Sequence, residues 1–133
     1  VGVSTFLHQD NFYFNGDPNT IVSCALYFQN TNKENGCLRV IPGSHEIGIL
    51  PHDSISHIEG IQWIDETKLN PDAILDLELD APYAVFFNIN MIHGCYPNTS
   101  NGTRFSLAWE YIESSNNNVA SSVDNWCDRN LVG

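Results

Sequence analysis

Short apolar runs separated by turn residues dominate the chain, and this pattern favours strands over helices. The Asn35-Gly36 pair between two of these runs predicts a β-hairpin. About seven strands with no convincing helix and no repeat predict an all-β sandwich or barrel. The predicted strands are Val3–Leu7, Ile21–Phe28, Cys37–Ile41, Ala73–Leu79, Tyr83–Phe87, Met91–Cys95 and Thr103–Ile112.

The last of these runs, "TRFSLAWEYI", alternates between two kinds of side chain. Successive residues of a strand face opposite sides, so Arg104 and Ser106 share a face with Ala108 and Glu110. The other face carries Phe105, Leu107, Trp109 and Tyr111. A guanidinium that points into a barrel is costly unless it meets an anion. We therefore expect Arg104 to form one of two contacts. It either pairs with a carboxylate of the chain or binds the carboxylate of a bound ligand, and in the second case the Ser106 hydroxyl would add a hydrogen bond.

The pattern divides the chain into a β domain over residues 1–113 and a polar tail over residues 114–133. The tail is expected to be either partly disordered or helical near Val123–Leu131. Within the domain, the segment Glu46–Asp72 loses the strand pattern. Excursions of that length inside a compact domain are typically binding loops or lids.

Composition narrows the classes of partner. The 133 residues contain 42% hydrophobic residues, and 16 acidic against 5 basic residues give a net charge of −11. This balance argues against nucleic acid and against an anionic membrane surface, both of which need a basic footprint. No apolar run is long enough to cross a bilayer and no leader pattern opens the chain, so we expect a cytoplasmic location. The four cysteines form no CxxC pair, and free thiols are expected.

The stretch "TFLHQDNFYF" places His8 and Asp10 two residues apart in a strand-like segment. Residues so spaced in a strand project to one face, where an imidazole and a carboxylate suit a divalent metal. By itself such a pair also arises by chance. His93, on a later short strand, would be a third ligand, although a lone histidine is more often hydrogen-bonded to the backbone. Two histidines and one carboxylate make the facial triad of non-haem iron(II) oxygenases.

Three segments together carry a resemblance to a known family. "HQD", "ENGCLRVIPGSH" and "IHGCYPNTSNGTRFS" resemble the phytanoyl-CoA dioxygenase family of iron(II)- and 2-oxoglutarate-dependent oxygenases. The resemblance implies a double-stranded β-helix, a cupin-like jelly roll. It further implies that His8, Asp10 and His93 bind Fe(II), and that Arg104, assisted by Ser106, binds the distal carboxylate of 2-oxoglutarate.

The resemblance also implies a reaction, in which O2 and 2-oxoglutarate are consumed and an unactivated C–H bond of a small-molecule substrate is hydroxylated. Related halogenases replace the carboxylate ligand by a small residue, so Asp10 favours hydroxylation. Tyr13, Trp63 and the loop Glu46–Asp72 are the candidates for substrate contact. His45 is expected to stabilise a turn, and His52 and His57 to lie on the surface or a lid.

The chain also departs from the family pattern. The N-terminal helices and strands that cover the barrel in family members are missing, and Ser23 stands where an aromatic residue or threonine is common. Two other classes of function therefore remain open: a non-catalytic jelly-roll module, or oxygenase fragment, that binds a metal or ligand, and a cupin-type enzyme that does not use 2-oxoglutarate. A homo-oligomer is equally open.

Overall fold

The computed structural model describes residues 4–54 and 62–114, and these form two facing antiparallel sheets. The four-stranded sheet has the order β1-β8-β3-β6, the three-stranded sheet has the order β7-β2-β9, and β4 and β5 form a separate ribbon. The all-β prediction is confirmed. The strands are β1 Thr5–His8, β2 Ile21–Tyr27, β3 Leu38–Val40, β4 Asp53–Ser54, β5 Gln62–Trp63, β6 Leu75–Asp76, β7 Tyr83–Asn88, β8 His93–Cys95 and β9 Ser106–Ile112.

Four short helical segments connect the strands. The α-helix α1 covers Asn11–Phe14 and ends at Asn15, whose left-handed conformation (φ 49°) an asparagine tolerates better than most residues. The 3-10 turns cover Ser44–Ile47, Glu66–Lys68 and Pro71–Ala73. The segment Glu46–Asp72 is thus mostly irregular where the structure describes it, as its sequence predicts.

The three-stranded sheet has β2 at its centre, and its two ladders set which residues face inward. Ser23, Ala25 and Tyr27 of β2 lie opposite Glu110, Ala108 and Ser106 of β9 on one face. This face looks toward the four-stranded sheet and lines a cavity. The alternation predicted for the Thr103–Ile112 run is confirmed, with the polar set inside.

The apolar set of the same sheet faces outward. Phe86, Leu107 and Tyr111 are 62%, 55% and 54% exposed, and Phe86 stacks against Tyr111 across β2. Exposed apolar faces of this kind mark surfaces that other protein segments contact. Two clusters of the apolar core lie elsewhere. One lies between the sheets and includes the buried residues Ala25, Tyr27, Leu38 and Val40. The other includes Leu7, Ile64 and Ile92, and none of these three lines the cavity.

The four-stranded sheet brings β1 against β8 in register His8↔His93. Beneath this pair, Leu7 and Ile92 are completely or almost completely buried, so the apolar neighbours of both histidines anchor the two strands in the core. Gly94 follows His93 at the point where β8 passes between β1 and β3. The close approach of the strands depends on the missing side chain of Gly94.

Three sequence predictions need correction. The Asn35-Gly36 hairpin is wrong, because β2 and β3 belong to different sheets, and Gly36 (φ 89°) instead turns the chain from one sheet to the other. The structure also contains a helix at Asn11–Phe14, directly after β1, where none is expected. Asp10 belongs to the turn that begins this helix and is not part of the strand.

Some expectations lie outside the described residues, among them the helix near Val123–Leu131, His57 and Cys127. The cysteines that the structure describes, Cys24, Cys37 and Cys95, are free thiols, as expected. Among the described residues, no helix has the length and apolar character that crossing a bilayer requires.

Gly94→Ala should destabilise the fold by about 1–3 kcal/mol, because the structure has no space for the added methyl group. A Cβ at this position would lie 2.6 Å from the backbone oxygen of Thr5 and 3.0 Å from that of Phe6, which would force β1 away from β8. Chemical denaturation measures the change in the free energy of unfolding. Gly102→Ala is the matched control, since its Cβ would meet only the Ser100 hydroxyl at 3.7 Å, and we expect a change within about 0.5 kcal/mol. Equal effects of the two substitutions would contradict the close-packing argument.

Candidate metal centre and adjoining cavity

The structure brings together the three side chains that the sequence singles out as a metal site. One ligand atom from each of His8, Asp10 and His93 lies within 4.8 Å of the others. Nε2 of His8 is 3.3 Å and Nε2 of His93 is 3.5 Å from Oδ1 of Asp10. Ligands that sit at about 2.1 Å from one metal ion, at right angles to each other, are about 3 Å apart. The three donors therefore fit a single divalent ion.

The histidines converge because of strand pairing, and Asp10 joins them because of a turn. The β1–β8 register sets the His8 and His93 rings 4.4 Å apart. Asp10 has helical backbone angles (φ −56°, ψ −36°) at the start of α1. The sequence argument that His8 and Asp10 share one face of a strand is thus wrong in its geometry, although the two side chains do meet.

Hydrogen bonds orient both imidazoles for metal binding. Nδ1 of His8 lies 2.8 Å from the carbonyl oxygen of Phe6, and Nδ1 of His93 lies 3.0 Å from that of Met91. A carbonyl only accepts a hydrogen bond, so each Nδ1 carries a proton, and each Nε2 faces Asp10 as the nitrogen that could bind a metal once it is deprotonated. Outer hydrogen bonds of this kind fix the tautomer and ring orientation of ligating histidines.

Ser23 holds the carboxylate. Its hydroxyl donates to Oδ2 of Asp10 at 2.8 Å, which leaves Oδ1 facing the two histidines. Ser23 is buried on the inner face of β2. Sequence reasoning treats Ser23 only as a departure from the family pattern, and its partner Asp10 could be found only from the packing of β2 against the turn after β1.

The charges of the cluster stabilise one another in the absence of a metal. Burial disfavours the charged form of His8, but the hydrogen bond and the negative charge of Asp10 outweigh it and raise the His8 pKa above its ordinary value. Burial would also raise the pKa of Asp10, yet the hydrogen bond from His8 and the charge of His93 lower it overall. Burial lowers the pKa of His93. Both shifts favour a proton on the Nε2 of His8 that faces the carboxylate, and a metal ion bound to Nε2 would have to displace it.

Gln9, between the two ligands, fastens their turn to the rest of the protein. Its side chain is fully buried and donates to the carbonyl oxygens of Asn90 (2.7 Å) and Gly48 (2.9 Å), while its Oε1 accepts from the Leu50 amide at 2.8 Å. Its backbone amide donates to Nε2 of His52 at 3.1 Å. His52 thus supports the turn that carries Asp10, whereas the sequence predicts a position on the surface or on a lid.

A cavity of about 290 Å³ opens beside the cluster, between the two sheets. Its walls include the three cluster residues and the inner face of β9, together with apolar side chains of both sheets. Among the described residues, His45, Tyr13 and Trp63 do not line it. Tyr13 instead bonds the Gln62 backbone, and Trp63 packs on Phe6.

Arg104 lies in the wall of this cavity without an anionic partner. Its Nη1 donates to the Ser106 hydroxyl at 3.0 Å, and its guanidinium lies over the Tyr27 ring, 5.6 Å from the centroid. Its Nε is buried without any hydrogen-bond partner. No carboxylate among the described residues pairs with Arg104, so this part of the chain does not supply the ion pair that the sequence left open.

Besides Arg104, Glu110 is the other charged residue of the cavity wall that does not belong to the metal cluster. It stands opposite Ser23 in the β2–β9 ladder. Burial, strengthened by the charge of Asp10, raises the pKa of Glu110 to about 7. The sequence pattern places Glu110 on the same face as Arg104 but gives no sign that it lies near Asp10.

Gln9→Leu should lower both the stability of the protein and its affinity for a metal. The substitution keeps most of the volume but leaves two carbonyl oxygens and one amide buried without partners. We expect a loss of more than about 2 kcal/mol in unfolding free energy and roughly tenfold or more in iron(II) affinity. Denaturation and anaerobic iron titration measure the two effects. Gln62→Leu, whose side chain makes no such bonds in the described structure, is the control. Unchanged iron affinity in Gln9→Leu would show that the turn needs no such fastening.

Metal affinity should fall as the pH falls through the raised pKa of His8. Below that pKa the imidazole is protonated and paired with Asp10, so a metal ion must displace the proton. Because the shift is upward, competition begins above the ordinary histidine value, and we expect roughly a tenfold loss of affinity per pH unit below the His8 pKa. Anaerobic iron(II) titrations from about pH 5.5 to about pH 8 measure it. A constant affinity over this range would contradict the protonated His8–Asp10 pair.

Comparison with known proteins places this chain in a family. The sequence model of the family "Phytanoyl-CoA dioxygenase (PhyH)" matches residues 1–106. Peroxisomal phytanoyl-CoA dioxygenase of Homo sapiens is 32% identical to this chain. The aligned region covers 81% of this chain and 33% of the human protein.

Solved structures show the same fold. The non-heme monooxygenase ThoJ is 28% identical in sequence and superposes with a TM-score of 0.70. The match covers 90% of this chain and 44% of the ThoJ chain. EvdO2 from Micromonospora carbonacea var. aurantiaca, solved with 2-oxoglutarate, is 26% identical with a TM-score of 0.67 over 85% of this chain and 46% of its own. These likenesses confirm the double-stranded β-helix, and the chain spans a third to a half of the length of the proteins it matches. The chain belongs to the phytanoyl-CoA dioxygenase family.

Proposed function

We propose that this chain is the catalytic core of an iron(II)- and 2-oxoglutarate-dependent dioxygenase that hydroxylates an unactivated C–H bond of a small organic substrate. The observation that carries the proposal is the unpaired guanidinium of Arg104 in the cavity of the metal cluster. A metal-binding module without a co-substrate has no use for a half-buried cation without an anionic partner in the cavity of its metal cluster. An enzyme that binds a dicarboxylate there needs one.

In this proposal, Nε2 of His8, Oδ1 of Asp10 and Nε2 of His93 hold iron(II). When bound, iron(II) with 2-oxoglutarate and O2 supplies the oxidising power that breaks the C–H bond. Three ligands on one side of the ion leave the other positions free for the co-substrate and O2. The hydrogen bonds to Phe6, Met91 and Ser23 keep the three donors in place, so binding requires little rearrangement.

The remaining wall residues bind and shield the co-substrate. Arg104 and the Ser106 hydroxyl would clamp the distal carboxylate, and the Tyr27 ring beneath the guanidinium fixes its direction. Ala25, Leu38 and Phe87 give the cavity apolar walls. Such walls exclude water and strengthen the charge interactions inside. Membership of the family and the solved complex of EvdO2 with 2-oxoglutarate support this assignment.

Anaerobic addition of 2-oxoglutarate to the iron(II)-loaded protein should produce the weak visible charge-transfer band of the iron chelate. The band should be absent in His93→Ala, which removes a ligand. Arg104→Gln should still bind iron but should weaken 2-oxoglutarate binding by roughly ten- to a hundredfold, because a charged clamp is lost. Titration of the band measures both effects.

Lys68→Gln is the control for loss of a positive charge, because Lys68 pairs with Asp65 on the surface, away from the cavity. It should bind 2-oxoglutarate as the unaltered protein does. A band whose titration is the same in Arg104→Gln would refute the clamp. Bound iron without any band would favour a module or fragment that lacks oxygenase activity.

A further inference from the structure

The cavity has two chemically different ends along β9. Arg104 and Ser106 lie at one end, beside Tyr27. Glu110 lies four residues beyond Ser106, which corresponds to roughly 13 Å along a strand. At that end the ladder places it opposite Ser23, the residue that holds Asp10. The metal cluster is therefore close to Glu110, and the end occupied by Arg104 lies farther along the strand.

Only the backbone of Glu110 itself contributes a hydrogen bond to the Glu110 carboxyl, and no other group of the described residues pairs with it. No side chain in the described parts of the chain donates a hydrogen bond to it or pairs with it. The carboxyl is nevertheless half-buried in the cavity wall and faces the charge of Asp10. Leaving such a group unpaired is costly unless a ligand supplies a donor.

A count of charges in the proposed complex indicates which kind of ligand group would donate to Glu110. Iron(II) carries two positive charges and 2-oxoglutarate carries two negative charges, so these cancel. The negative charge of Asp10 and the positive charge of Arg104 cancel as well. When Glu110 is ionised, its carboxylate is the charge left over, and a cationic group on the substrate would neutralise it in a site where charges interact strongly.

The basic side chains of the described surface are, in contrast, paired with carboxylates. Lys33 pairs with Asp76 at 2.6 Å, Arg39 pairs with Glu66 at 2.6 Å, and Lys68 pairs with Asp65 at 3.2 Å. Arg104, the remaining basic residue of the described ranges, lies inside the cavity. A cavity of about 290 Å³ is also small for a ligand site. The size of the cavity therefore favours a small substrate.

We propose that Glu110 is a specificity-determining residue, and that it selects a small substrate carrying a protonated amine, which it binds next to the metal cluster. This inference rests on the proposed function, because the charge count includes the co-substrate. The amine would form a charged hydrogen bond with the Glu110 carboxylate, which would hold an adjoining C–H bond of the same molecule near the metal.

The test compares binding of three probes of equal length, hexylamine, hexanol and hexanoate, to the iron(II)- and 2-oxoglutarate-loaded protein without O2. Calorimetry measures each affinity, and the visible band shows whether the probe reaches the metal. We expect the amine to bind best, and Glu110→Gln to weaken it roughly tenfold or more while leaving hexanol binding unchanged. Glu113→Gln removes an exposed carboxylate just beyond β9 and should change nothing.

Equal binding of the amine and the alcohol, or an amine preference that survives in Glu110→Gln, would overturn the inference. Glu110→Asp, which keeps the charge but shortens the side chain, should retain the preference with reduced affinity, and it supplies the test if Glu110→Gln does not fold. A missing 2-oxoglutarate band in the unaltered protein would count against the proposed function alone. Amine binding that depends on Glu110 would still be measured by calorimetry in that case.

Discussion

The pairing of β1 with β8 is the constraint on which the site depends. It places His8 opposite His93, with Leu7 and Ile92 buried beneath them, so the apolar core fixes the distance between two metal-capable nitrogens. Gly94 lets the strands approach closely enough for this pairing. A shift of one residue in the register would turn one imidazole to the other face of the sheet and abolish the cluster.

The third donor depends on a different kind of interaction. Asp10 lies beyond the end of β1, where no ladder holds it, and buried polar contacts hold it instead. The Gln9 side chain fastens the turn to two distant backbone segments, and Ser23 of the opposite sheet orients the carboxylate. Both sheets therefore contribute to one ligand, which couples the closure of the jelly roll to the geometry of the metal centre.

The interior of the molecule is unusual in the distribution of its polar groups. The cavity wall includes Arg104, just before β9, together with Ser106 and Glu110 of β9, whereas Phe86, Leu107 and Tyr111 are exposed on the outer face of the three-stranded sheet. Partly burying charge while exposing aromatic side chains costs free energy in folding. The arrangement is reasonable when the inner face of the sheet serves ligand binding and the outer face is an interaction surface.

The sequence by itself determined the all-β class, the faces of the last strand and the identity of the three candidate ligands. These follow from local rules, namely the period of a strand, the chemistry of histidine and carboxylate side chains, and the motifs around His8, His93 and Arg104. Only the tertiary structure decided the sheet to which each strand belongs, which made the Asn35-Gly36 hairpin wrong. It alone showed that Asp10 reaches the cluster through a turn, that Ser23 and Gln9 hold it, and that Glu110 stands beside it. The physical reason is that these contacts join residues far apart in the chain, and local pattern carries no information about which distant segments a buried polar group will meet.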